Sequence, residues 1–144
     1  MAMNVGRIIT KSLAWIPSGT TLLEAAKQMV EKNIGLLVVC DPKDKTKIVG
    51  VISERDIMKS MASGEKLTTQ VDKISTKNVI TVKASSEVAE AAKAMNKHRI
   101  RHVVVVDDQD KVVGVISMRD LVGERATLTA ILSSHEKEIF VGGD

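Results

Sequence analysis

Two stretches of this chain repeat each other in the same order, and that duplication limits the fold more than any other feature. Leu22-Leu23-Glu24-Ala25-Ala26-Lys27-Gln28-Met29 aligns with Val88-Ala89-Glu90-Ala91-Ala92-Lys93-Ala94-Met95 at an offset of 66, with Glu-Ala-Ala-Lys identical. Downstream, Val49-Gly50-Val51-Ile52-Ser53-Glu54-Arg55-Asp56-Ile57 aligns with Val113-Gly114-Val115-Ile116-Ser117-Met118-Arg119-Asp120-Leu121 at an offset of 64. The two-residue difference falls between Asp41 and Gly50, where Asp41-Pro42 and Lys43-Asp44 supply turn chemistry that tolerates insertion. The 144 residues therefore hold two copies of one unit of roughly 60 residues.

Each copy shows the same succession of patterns. A short apolar run, Leu13 to Ile16 or Val79 to Val82, suits a strand. A polar turn follows, and then a helical stripe: Leu22, Ala25, Ala26, Met29 and Val30 in the first copy, Val88, Ala91, Ala92 and Met95 in the second. The runs Leu36 to Cys40 and Val103 to Val106 are continuously apolar, as strands covered on both faces are. A tight turn leads to Ile48 to Ile52 or Val112 to Ile116, and a second helix begins at Ser53 or Ser117. The expected fold class is α/β of an α+β-like kind: tandem β-α-β-β-α repeats related by pseudo-two-fold symmetry. The expected divisions are residues 5–62 and 71–123 for the repeats, 63–70 for a linker and 124–144 for a C-terminal helix or tail. In that tail Leu128, Ile131, Leu132, His135 and Ile139 recur at helical spacing, a stripe for self-packing, a dimer contact or docking.

Composition narrows the function. Apolar residues make up 44% and charged ones 27%, with no run near 18 apolar residues, so a globular chain with no membrane span is expected. The polar Asn4, Gly6 and Arg7 stand where a secretory signal would be apolar, and the single Cys40 has no intramolecular disulfide partner, which points to a cytoplasmic protein. The net charge is +3, but basic and acidic residues interleave as on a solvated surface. One Trp, one Phe and no Tyr leave almost nothing for bases to stack on, which argues against nucleic acid.

The identical Gly-Val-Ile-Ser-x-Arg-Asp blocks carry the chemistry. Ser53-x-x-Asp56 and Ser117-x-x-Asp120 sit where a strand turns into a helix, and their spacing suits a capping box. The same place is the mouth of a sheet, where first-turn amides and the helix dipole favour an anion. There an Asp can accept from both hydroxyls of a ribose, while the serine and free amides approach a phosphate. A cap needs no arginine and a phosphate does, so the repeated Arg55 and Arg119 favour the second reading.

Over roughly residues 5 to 123 the chain resembles a pair of cystathionine-β-synthase-type domains, a CBS pair or Bateman module. The residues that carry the likeness are Thr76-Lys77-Asn78-Val79-Ile80-Thr81-Val82, His98-Arg99-Ile100-Arg101-His102 and both Gly-Val-Ile-Ser-x-Arg-Asp blocks. The resemblance implies a regulatory, energy-sensing module that binds an adenine nucleotide (AMP, ADP or ATP) in the cleft between the repeats. Carried over, the first-choice group is Thr76, Ile80, Ile100, Arg101 and His102 with Ser53, Arg55 and Asp56. The second is Thr10, Ala14, Ile34, Gly35 and Leu36 with Ser117, Arg119 and Asp120. Because Gly35 and Leu36 replace Arg101 and His102, only the first group gains their phosphate-binding charge. The resemblance also implies a homodimer and an unknown regulated partner, with no catalytic cofactor. An S-adenosylmethionine or NAD(H)-type sensor and a protein-interaction adaptor working through the C-terminal helix are the alternatives.

The remaining residues point elsewhere than catalysis. His98 and His102 have metal-ligand spacing but no third ligand, so no metal is expected. Ser53 and Ser117 have no histidine at a plausible spacing, and no Gly-x-Ser-x-Gly elbow occurs, so no enzyme is expected. Cys40 suits a small core residue, the methionines suit helix packing, and Trp15 suits either core or the wall of a cleft.

Overall fold

The computed structural model describes residues 3–9, 13–122 and 132–133. In the first copy β1 (Trp15–Pro17), α1 (Leu22–Lys32), β2 (Leu36–Asp41), β3 (Asp44–Ser53) and α2 (Glu54–Ala62) follow one another. A short helix α3 (Val71–Ile74) precedes β4 (Thr81–Lys83), α4 (Val88–His98), β5 (His102–Val106), β6 (Val112–Ser117) and α5 (Met118–Val122) of the second. The mixed β-α-β-β-α plan is thus present twice.

The matched helices bury matched residues. Leu22, Ala25 and Met29 of α1 and Val88, Ala91 and Met95 of α4 lie on the inner faces, the three-and-four spacing that the apolar stripes set out. Both helices end on a residue in the left-handed conformation, Asn33 at φ 54° and Arg99 at φ 53°. Their starts differ. Thr21 Oγ1 accepts from the Glu24 amide at 3.2 Å, whereas Glu87 heads α4 with no side-chain cap.

Each sheet has three strands, ordered β1-β2-β3 and β4-β5-β6. β1 runs parallel to β2 with Trp15 opposite Val38, and β4 parallel to β5 with Thr81 opposite Val104. β2 pairs antiparallel with β3, Leu36 opposite Ser53. Both first strands begin two residues later than the runs suggested, because their extent is set by the partner: Ala14 O and Ile80 O accept from Val38 N and Val104 N, and the ladders run on from there. β3 starts earlier than expected, at Asp44, which pairs with Asp41 across a two-residue turn. The extra length of the first copy is taken up in register shifts between Val39 and Cys40 and between Cys40 and Asp41.

By its contacts the chain divides into two compact units. One draws on the described residues of Ser12–Val79 and on Lys111–Val113; the other on Ile80–Asp110 and the described residues of Met1–Lys11 and Gly114–Asp144. Each unit takes in a segment from outside its own repeat. Val5, fully buried in a 3-10 turn at Val5–Arg7, joins Val88, Ala91, Met95, Val103, Val105, Ile116 and Leu121 in one core. Val71, equally buried, joins Ile16, Leu22, Ala25, Met29, Leu37, Val39 and Ile52 in the other. The backbone follows suit: Asn4 bridges to Glu87 and Gln70 to Thr21, the same pairing displaced by 66.

That exchange was not expected, although the alignment extends to it. Val5-Gly6-Arg7-Ile8 matches Val71-Asp72-Lys73-Ile74 at the same offset, with Val and Ile identical and the basic residue kept. Position 72 departs from its counterpart Gly6 and adds an anchor. Asp72 accepts from Ser18 Oγ and, at 2.7 Å, from the Gly19 amide. Burial pushes the Asp72 carboxyl up, but these two bonds, with its own backbone amide and the charge of Lys77, together hold the pKa below the usual value.

Cys40 is buried, as a core residue should be, and burial, with Asp44 second, pushes its thiol up to about 11. Met29 and Met95 pack in the cores, but Met58 and Met61 are 71% and 40% exposed, so helix packing does not account for all the methionines. Trp15 is half-buried on β1. The C-terminal stripe lies outside the described residues except for Leu132, which is exposed.

Candidate functional site

Both Ser-x-x-Asp sequences form the capping box. Ser53 N donates to Asp56 Oδ2 at 2.9 Å, and Asp56 N to Ser53 Oγ at 3.2 Å. Ser117 N donates to Asp120 Oδ2 at 2.9 Å, and Asp120 N to Ser117 Oγ at 3.1 Å. The cap and the ribose reading do not exclude each other. A carboxylate offers about four acceptor positions on two oxygens, and the box uses Oδ2 alone. Among the described residues Oδ1 has no protein partner in either copy. Asp56 is half-buried and Asp120 exposed, so a hydrogen bond to Asp56 is better shielded from competing water.

The strands bring further candidates to the same end of each sheet. In the unit that holds α2, Ala14 leads into β1, Ile34 and Gly35 lead into β2, and Leu36 stands opposite Ser53 at the carboxyl end of β3. The Glu54 amide donates to Gly35 O at 3.0 Å, tying the start of α2 to the start of β2. Thr76 lies along the other edge of β3, exchanging hydrogen bonds of 3.0 and 2.8 Å with Val51. Arg55 is exposed on the first turn of α2.

The other unit repeats this arrangement with Ile80, Ile100, Arg101, His102, Ser117, Arg119 and Asp120. The Met118 amide donates to Arg101 O at 2.8 Å, the counterpart of the Glu54–Gly35 bond. Ile80 and Ile100 are half-buried against the core, while Arg101 and Arg119 are exposed. Each group inferred from the sequence is therefore divided between the two units: Ser53, Arg55, Asp56 and Thr76 stand in one with Ala14, Ile34, Gly35 and Leu36, and the remainder in the other. Thr10 lies outside the described residues.

The glycines of the repeated block have a steric task. A Cβ on Gly50 would stand 2.8 Å from Thr76 O and 3.0 Å from Ser75 Oγ; one on Gly114 would stand 2.8 Å from Ile9 Cγ2. Ile9 is the counterpart of Ser75 at the offset of 66, so in each unit the glycine admits the incoming segment against the strand.

Sequence reasoning passed over Glu54. Its side chain folds back over Gly35, where a Cβ would meet Glu54 Oε1 at 2.5 Å and Cδ at 3.3 Å. The signal was present: position x of Gly-Val-Ile-Ser-x-Arg-Asp is the one place where the two blocks differ, Glu54 against Met118.

Among the described residues no three His, Cys, Asp or Glu side chains are grouped to hold a metal, and no helix is long and apolar enough to cross a membrane.

Known proteins share this plan. A CBS domain protein, PAE2072, from Pyrobaculum aerophilum, solved in complex with AMP, superposes with a TM-score of 0.87 at 33% identity, over 91% of this chain and 99% of that one. The CBS domain pair of protein MJ0100, solved with 5'-methylthioadenosine and S-adenosyl-L-methionine, gives 0.77 at 34% identity, over 84% and 98%. An uncharacterized 17.7 kDa protein of Acidianus ambivalens is 38% identical over 121 residues, 84% of this chain and 72% of that protein. Some relatives are enzymes of which the chain spans a small part: it covers 21% of the L-aspartate semialdehyde sulfurtransferase of Methanocaldococcus jannaschii at 35% identity. The likeness thus indicates no catalytic family. The CBS domain model matches residues 5–63 and again 71–126, and the chain belongs to the CBS-domain family, with two copies in tandem.

Proposed function

We propose that this chain is a cytoplasmic, non-catalytic regulatory module that senses adenine nucleotides and reports their binding to a protein it controls. Its ligand groups are those carried over from the resemblance. Thr76, Ile80, Ile100, Arg101 and His102 act with Ser53, Arg55 and Asp56; Thr10, Ala14, Ile34, Gly35 and Leu36 act with Ser117, Arg119 and Asp120.

One observation carries the reading: each capping aspartate spends a single oxygen on its helix, and its other oxygen, without a partner among the described residues, suits a ribose hydroxyl. The AMP bound by the Pyrobaculum protein, one-third identical to this chain, supports the ligand class. Half-buried Ile80 and Ile100 suit the faces of a purine, and exposed arginines suit a phosphate. The first group, with Arg101 and His102, is the tighter one for AMP.

A sensor needs a ligand that prefers one of two conformations or assemblies, and in this reading the module works as a homodimer whose contacts with its target respond to occupancy. The methylthioadenosine and S-adenosylmethionine held by the MJ0100 domain pair favour a second reading, in which the ligand is an adenosyl compound without phosphate. Isothermal titration with AMP, ATP, S-adenosylmethionine and NADH tests both. Saturable heat with AMP at millimolar concentration or below supports the first, and silence from all four compounds overturns the assignment.

A further inference from the structure

We infer that Glu54 sorts ligands by charge, turning phosphorylated adenosines away from the group that contains Gly35 and admitting an adenosyl ligand that carries no phosphate and no net negative charge. The inference rests on the nucleotide-binding reading above and adds to it which of the two groups takes which chemical class.

Three observations converge. Glu54 lies against Gly35, where a Cβ would meet Oε1 at 2.5 Å and Cγ at 3.5 Å, so a side chain there would push the carboxylate aside. The carboxylate is exposed, and no hydrogen bond or ion pair holds it among the described residues. In the other unit the same two positions are Arg101 and Met118, with Met118 packed against the hydrophobic core. One unit thus presents a cation where the other presents an anion, at backbone positions joined by the same hydrogen bond, 2.8 Å for Met118 N to Arg101 O and 3.0 Å for Glu54 N to Gly35 O. A phosphate beside Gly35 would face a like charge at close range, whereas a sulfonium there would find a counter-ion.

The test is calorimetric titration of the full chain and of the Glu54→Gln and Glu54→Met variants with AMP and, separately, with S-adenosylmethionine. Both replacements stand at an exposed first-turn position, and Met restores the residue of the other repeat. The wild type should show a tight and a weak AMP event. Both variants should strengthen the weak event by about three- to tenfold and weaken S-adenosylmethionine by a similar factor, the size expected of one solvent-exposed charge. Affinities for both ligands that ignore Glu54, or a gain confined to the tight AMP event, overturn the inference and leave the nucleotide assignment standing. Failure of every ligand to bind the wild type overturns both.

Discussion

At the mouth of the second repeat Arg101 is followed by His102, and Met118 turns into the core; at the mouth of the first, Gly35 is followed by Leu36, and Glu54 lies over the glycine. Around these positions little else differs. Both aspartates close the same box with the same serine, both helices that follow the first strands bury the same three positions, and both outer segments lay a valine into the core. The duplication has kept the scaffold and let the charge at its mouth diverge. Identical backbone roles with opposite electrostatics are what two copies need if they are to answer different ligands.

Several substitutions sharpen or break that comparison. The largest effect is expected from Asp56→Asn, which keeps an acceptor for the helix cap and removes the charge offered to a ribose. AMP affinity should fall by about 10- to 100-fold, the worth of a hydrogen bond to a charged group, while Asp120→Asn should cost the tight AMP event less than threefold, a margin of about 0.6 kcal/mol. Equal losses from the two variants, measured by calorimetry, would break the asymmetry.

Next come the two glycines. Gly50→Ala drives a Cβ into Thr76 O, a backbone atom pinned by its bond from Val51 N, whereas Gly114→Ala meets side-chain atoms alone, those of Ile9 with Cγ2 nearest. Urea unfolding should show a loss of about 2–3 kcal/mol for the first and about 1 kcal/mol for the second. The reverse order would mean that the segments seated by Ser75 and Ile9 are not equivalent.

The outlines of both repeats were legible because they rest on local signals. Helical spacing marked α1 and α4, unbroken apolarity marked β2 and β5, and Ser-x-x-Asp marked the starts of α2 and α5. The exchanged segments were not, since Val5 finds its core partners at Val88 to Leu121 and Val71 its partners at Ile16 to Ile52, far outside any local window, and periodicity over one turn carries no such information. Glu54 was missed for another reason: a single exposed glutamate after a serine is an ordinary first-turn residue, and only the folded contact with Gly35 gives it a role. The candidate residues themselves came from the family resemblance, and the fold adds the state of their hydrogen bonds, above all the Oδ1 of each aspartate, which has no partner among the described residues.

The smallest effect separates the helix ends. Asn33 takes the left-handed conformation at less cost than Arg99 does, so Arg99→Asn should raise stability by about 0.5–1 kcal/mol. The mirror change Asn33→Arg should lower it by a similar amount, both read from the denaturant midpoint at constant slope. A neutral pair of results would show that local contacts, not backbone preference, decide those two ends.

The central claim is that one aspartate serves a helix and a ligand together, and crystals grown with AMP address it most directly. The account predicts a ribose hydroxyl on Oδ1 of Asp56 while Oδ2 still accepts from the Ser53 amide. A nucleotide bound elsewhere, or a carboxylate that touches its own helix and nothing more, would contradict it.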